Sequence, residues 1–80
     1  MVNPSKERAT EFVVFCIENT AKRLGVSGTD LFLELKRIGG ISAFLYPSYT
    51  ALHTQGKDFI VDETIEFLRN NNSPLVAQSA

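Results

Sequence analysis

Cysteine occurs once in the 80 residues, as Cys16, and histidine once, as His53. A lone cysteine closes no intramolecular disulfide, and small secreted domains usually carry several paired cysteines to compensate for a thin core. The expected location is therefore cytoplasmic. A structural zinc site takes four Cys or His ligands, more than this chain has, and no acidic loop shows the spacing of a calcium or magnesium site. Cys16 and His53 could pair as thiolate and imidazole, but Cys16 falls on an apolar stripe, where a free cysteine acts as a small buried hydrophobe. Gly25, Gly28, Gly39, Gly40 and Gly56 are scattered, and none has the spacing of a dinucleotide or phosphate-binding loop. No metal, cofactor or catalytic residue is expected, and the chain does not read as an enzyme.

An excess of one charge is also missing. Eight basic residues stand against nine acidic ones, a formal net charge of −1, whereas binding to a phosphate backbone shows as a basic excess or stripe. Nucleic acid is not the expected partner. Long apolar runs are absent too: the longest, Phe12 to Ile17, is six residues, against about 20 for a membrane-spanning helix. Lys6, Glu7 and Arg8 interrupt the N-terminus before an apolar leader could form. Neither a membrane anchor nor a secretory leader is expected.

What is present is an apolar fraction of 44% with six phenylalanines. That suffices for one hydrophobic core without disulfide or metal, while a chain this short, burying only a little over ~60% of its unfolded surface, has no room for a second. The pattern predicts an all-α compact bundle of three main helices, about residues 4–24, 28–38 and 58–70. One or two short helical turns should lie between the second and the third. Residues 1–3 read as frayed, 4–71 as a single helical domain and 72–80 as a disordered tail.

The first helix opens with Asn3 as N-cap and Pro4 at the first helical position. Ala9, Phe12, Val13, Cys16, Ile17 and Leu24 recur at spacings of three and four, joined by Thr20 and Ala21. Val14 and Phe15 widen this stripe, so the helix should be covered on two sides. Gly25 is placed to stop it in a left-handed conformation. Ser27 to Asp30 reads as a capping box with a shorter acid. Leu31, Phe32, Leu35 and Ile38 then form the buried side of the second helix, with Glu34, Lys36 and Arg37 in water.

Gly39 and Gly40 turn the chain. Ile41 to Leu45 is a short apolar segment that Pro47 should end, pushing Tyr46 away from helical angles. For Phe59 to Val61 two readings stay open: part of the last helix, or a β-prone extended stretch before a helix capped by Asp62. Phe12, Cys16, Leu35, Phe44 and Leu68 are the expected core. On the last helix Asp62 and Glu66, four apart, read as a solvated acidic face rather than a paired general acid and base.

The connector from Tyr46 to Gly56 gathers both tyrosines and the only histidine. Tyr46, Tyr49, His53, Thr54 and Gln55 are the candidate partner surface, since tyrosine offers large contact area at low entropic cost. The structural alternative stacks Tyr49 on His53, with His53 bonding helix-end carbonyls and Gly56 turning left-handed.

Phe15, Cys16, Ile17 and Glu18, then Gly28, Leu31 and Phe32, and above all Leu52, His53, Thr54, Gln55 and Gly56 before an acidic and apolar helix, resemble a family of short bacterial proteins known only as a domain of unknown function. The similarity spans about residues 9–70. Members of that family are commonly encoded beside proteins resembling ADP-ribosyltransferase-type toxins. The resemblance implies an antitoxin, immunity or accessory protein that binds its neighbour, and it implies no catalytic residues. The expected activity is thus binding of another protein, with self-association left open. The alternative is a small DNA-binding regulator of helix-turn-helix type, against which stand Asp58, Asp62, Glu63 and Glu66 on the last helix.

Overall fold

The computed structural model describes residues 4–76. Helix α1 spans Pro4–Leu24, α2 Gly28–Arg37, α3 Tyr46–Leu52 and α4 Lys57–Asn70, with a single wide π turn, Ile41–Leu45, leading directly into α3. The expected all-helical bundle is what forms. Lys57–Asn70 is continuous helix through Phe59, Ile60 and Val61, so the extended alternative for those residues is not adopted.

The predicted stripe of α1 is the spine of the core: Phe12, Val13, Cys16, Ile17 and Ala21 are buried together with Leu31 and Leu35 of α2, Leu45, Leu52, and Ile60 and Leu68 of α4. Of the five expected core residues, Phe12, Cys16, Leu35 and Leu68 are buried. Phe44 is only half-buried and instead stacks on Phe67, ring centres 4.6 Å apart. Thr64 is accommodated in the interior because its hydroxyl donates to the Ile60 carbonyl at 2.9 Å.

Helix ends are closed by residues that tolerate the left-handed region. Gly25, at φ +71°, lets its own N–H reach the Lys22 carbonyl and that of Val26 the Ala21 carbonyl, the paired bonds of a Schellman ending. Asn72, at φ +55°, does the same for α4, with Asn72 N–H on Arg69 and Ser73 N–H on Leu68. At the start of α2 the Ser27 hydroxyl accepts the Asp30 N–H at 3.0 Å. Asp30 contributes its backbone to this cap while its side chain stays exposed, so only the serine half of the expected box forms.

Four further expectations fail, each for a physical reason. Val14 and Phe15 remain 48% and 41% exposed, and Phe32 40%; α2, α3 and α4 all pack on α1, and among the described residues no further helix covers its remaining side. Pro47 does not end the short segment: Tyr46 has helical angles, φ −62° and ψ −47°. The π turn resolves the conflict, because the Tyr46 N–H reaches back five residues to Ile41. Proline then occupies the first turn of α3, where its missing N–H costs little.

Gly56 is extended, at φ −70° and ψ 158°, and serves as the residue before α4 rather than as a left-handed turn. The reversal is made upstream by the Gln55 N–H on the Leu52 carbonyl. Finally, the tail expected to be disordered packs through residue 76: Ser73 is fully buried and Val76 is 6% exposed within the core. Residues 1–3 and 77–80 lie outside the described residues.

Burial of Ser73 places it beside Glu34, which the sequence puts in water but whose side chain is only 11% exposed. Arg37 grips both Glu34 oxygens, Nε and a terminal nitrogen each at 2.8 Å. This grip first, with Ser73 adding to it, holds the Glu34 carboxyl down to about 2. A folded value below the unfolded one, about 4.3, contributes stability that is complete above the unfolded value and lost as pH falls through the folded one. Urea midpoints of the wild type and Glu34→Gln should therefore differ at neutral pH and converge as pH drops from about 5 to about 2. A gap that persists unchanged at the acid end contradicts this assignment.

Candidate functional site

Tyr49 and His53 are one helical turn apart on α3 and stack, with ring centres 4.4 Å apart and planes at 21°. The His53 Nδ1 lies 2.6 Å from the Tyr49 carbonyl. A carbonyl only accepts, so Nδ1 carries the proton and Nε2 is left as the ring's free polar atom. On its other side Tyr49 meets Phe12 edge-on, ring centres 5.6 Å apart. The stacked pair is thus fixed to α1 through the core.

These rings form one wall of a groove of about 510 Å³. Phe12 and Phe15 of α1 and Ile60 of α4 complete its apolar lining, and Arg8, Glu11 and Gln55 add polar groups. Arg8 and Glu11 are exposed. Of the five sequence-predicted residues, Tyr49, His53 and Gln55 come together here. Tyr46 does not: it is half-buried, and its hydroxyl lies 2.8 Å from the Thr10 hydroxyl. Since Thr10 gives its proton to the Lys6 carbonyl, Tyr46 must be the donor, which makes it a tether of α3 to α1. Thr54 is exposed and lines no part of the groove.

A family described as a protein of unknown function (DUF3791) matches residues 11–71. The chain belongs to this family. The match takes in every groove residue except Arg8. No curated protein and no solved structure matches the chain. Membership carries no assigned activity, so function has to be argued from the groove and the rest of the surface.

Sequence reasoning missed Arg8, Glu11, Phe15 and Ile60. Phe15 did carry a signal, because it lies off the main stripe of α1, but its position was read as extra burial. Cys16 is sealed in the core, and burial pushes its thiol up to about 12; it is protonated at neutral pH and is no thiolate partner for the exposed His53. On the acidic face, Arg23 of α1 bridges to Asp58 at 3.2 Å and Asp62 at 3.0 Å. These carboxylates tie α1 to α4, and their exposure limits the contribution to stability.

Proposed function

We propose that the protein acts by binding another protein through the groove between Phe15 and the Tyr49–His53 stack. The observation that carries this reading is that Phe15, 41% exposed, lines one open groove together with the stacked rings of Tyr49 and His53. An aromatic anchor beside rigid rings, rimmed by polar groups, is the arrangement that concentrates binding energy at interfaces. A toxin-like neighbour, implied by the family resemblance, would make the protein an antitoxin, immunity or accessory factor. Pairing of Arg23, Arg37 and Arg69 with carboxylates leaves these three less free to meet phosphates, which supports a protein partner over nucleic acid.

The test is capture of the partner from the native host, followed by titration of the purified pair with variants of the groove. Phe15→Ala and His53→Ala should each weaken affinity by on the order of 1–2 kcal/mol. Phe15→Ala, at an exposed site, should change stability by no more than about 0.5 kcal/mol, and His53→Ala by about 1 kcal/mol through its lost helix-end bond. Unchanged affinity in both variants, with any loss confined to the melting temperature, would leave the stack a purely structural device.

A further inference from the structure

A second exposed surface lies on the α2 side of α1 and shares no lining residue with the groove just described. Val14, Ile17 and Glu18 of α1 line a shallow depression of about 350 Å³ with Gly28, Thr29 and Phe32 of α2. This set fixes the register of the two helices: they run antiparallel, with Val14 level with Phe32 and Glu18 level with the start of α2. Val14 is 48%, Phe32 40% and Leu33 55% exposed, an apolar centre that none of the described residues covers. Lys36 is one turn beyond Phe32 and Leu33 and is exposed, as is Glu18 one turn beyond Val14.

Because the helices run in opposite directions, Glu18 and Lys36 flank the apolar centre at its two ends, about 12 Å apart along the helix axes at 1.5 Å per residue. Neither has an ion-pair partner among the described residues; the carboxylates and guanidiniums that do pair are elsewhere. An apolar centre with an acid at one end and a base at the other is complementary to itself when turned end for end. A twofold axis across the helices does this, and a closed twofold interface uses one patch on both copies. Each Glu18 then meets the Lys36 end of the other copy, forming two symmetry-related pairs around Val14, Phe32 and Leu33. The opposite orientation sets like charges together, which disfavours it.

We propose that the α1/α2 face is the interface of a homodimer in which a second copy covers Val14, Phe32 and Leu33 and exchanges Glu18–Lys36 ion pairs about a twofold axis. The interface uses none of the residues that line the groove, so a dimer would present two such grooves.

Sedimentation equilibrium of the full chain from micromolar to millimolar concentration tests this, with circular dichroism checking that each variant keeps its helices. The wild type should reach twice the monomer mass. Leu33→Asp, at an exposed site, should raise the dissociation constant by about tenfold or more, since a charge then replaces an apolar contact. Phe32→Ser provides the same reading should Leu33→Asp lose helicity. Glu18→Lys and Lys36→Glu should each weaken the dimer severalfold, and the two together should restore it to within about threefold of wild type, the coupling expected of a direct pair. A protein that stays monomeric throughout overturns the proposal. So does a dimer indifferent to Leu33→Asp and Phe32→Ser, or a double exchange no tighter than its weaker single variant.

Discussion

Leu68→Ala is expected to destabilise the protein by about 2–5 kcal/mol, and Phe12→Ala by about 3–5 kcal/mol. Leu68 is fully buried, at 0% exposure, and belongs to the cluster in which α4 closes on α1, α2 and Leu45. Its truncation removes apolar surface from the one core and leaves a cavity that four short, mutually braced helices can fill only partly. Phe12 adds a ring that supports Tyr49 from beneath, so its loss also loosens the aromatic wall of the groove. At the usual stability per residue, a chain of this size holds a total of about 4–12 kcal/mol. Either change is a large share of that. Urea titrations read both through the shift in midpoint at unchanged slope. A loss below about 1 kcal/mol at both positions would mean that the core has been placed wrongly.

Gly40→Val is expected to cost about 1–3 kcal/mol, through space rather than backbone conformation. Gly40 has ordinary helical angles, φ −71° and ψ −26°, which any residue adopts. A Cβ there would stand 2.8 Å from the Phe67 ring and 2.9 Å from a Leu35 methyl. Both are side-chain ends, but Phe67 is braced by its stack on Phe44 and Leu35 is fully buried, so neither moves without disturbing the core. The adjacent Gly39 is the opposite case. Its φ of +78° is left-handed and the space around it is open, so asparagine, which tolerates that region, should serve there better than alanine. Thermal melts of Gly40→Val, Gly39→Asn and Gly39→Ala separate the two causes. A Gly40→Val protein melting with the wild type would show that Phe67 and Leu35 give way freely.

How far the fold can be read in the sequence depends on the range of the interaction that decides each feature. Local features are legible. Gly25 ends α1 and Ser27 caps α2 because a left-handed angle and a hydroxyl acceptor act within a few residues. Tyr49 and His53 stack because four residues is one helical turn. Features decided by neighbours distant in sequence are not legible. Periodicity shows that Val14, Phe15 and Phe32 could face a core, but not whether another helix arrives to cover them, and among the described residues none does. The groove joins Arg8, Glu11 and Phe15 to His53 and Ile60, residues more than thirty apart that no local spacing connects. Val76 reads as part of a tail without periodicity, and the Schellman ending at Asn72 turns it back onto the core.

The π turn at Ile41–Leu45 has one more consequence. A helix that closes a hydrogen bond over five residues instead of four holds one residue more than its regular counterpart, and every residue advances a helix by about 100°. The extra residue thus acts as a phase offset, setting the azimuth of all that follows it while Phe44 and Leu45 keep their own. With this offset Tyr46 points at Thr10 and Tyr49 at Phe12. Without it the face of α3 bearing Tyr46, Tyr49 and His53 would be rotated by more than a quarter of a turn, and the aromatic wall of the groove would look elsewhere.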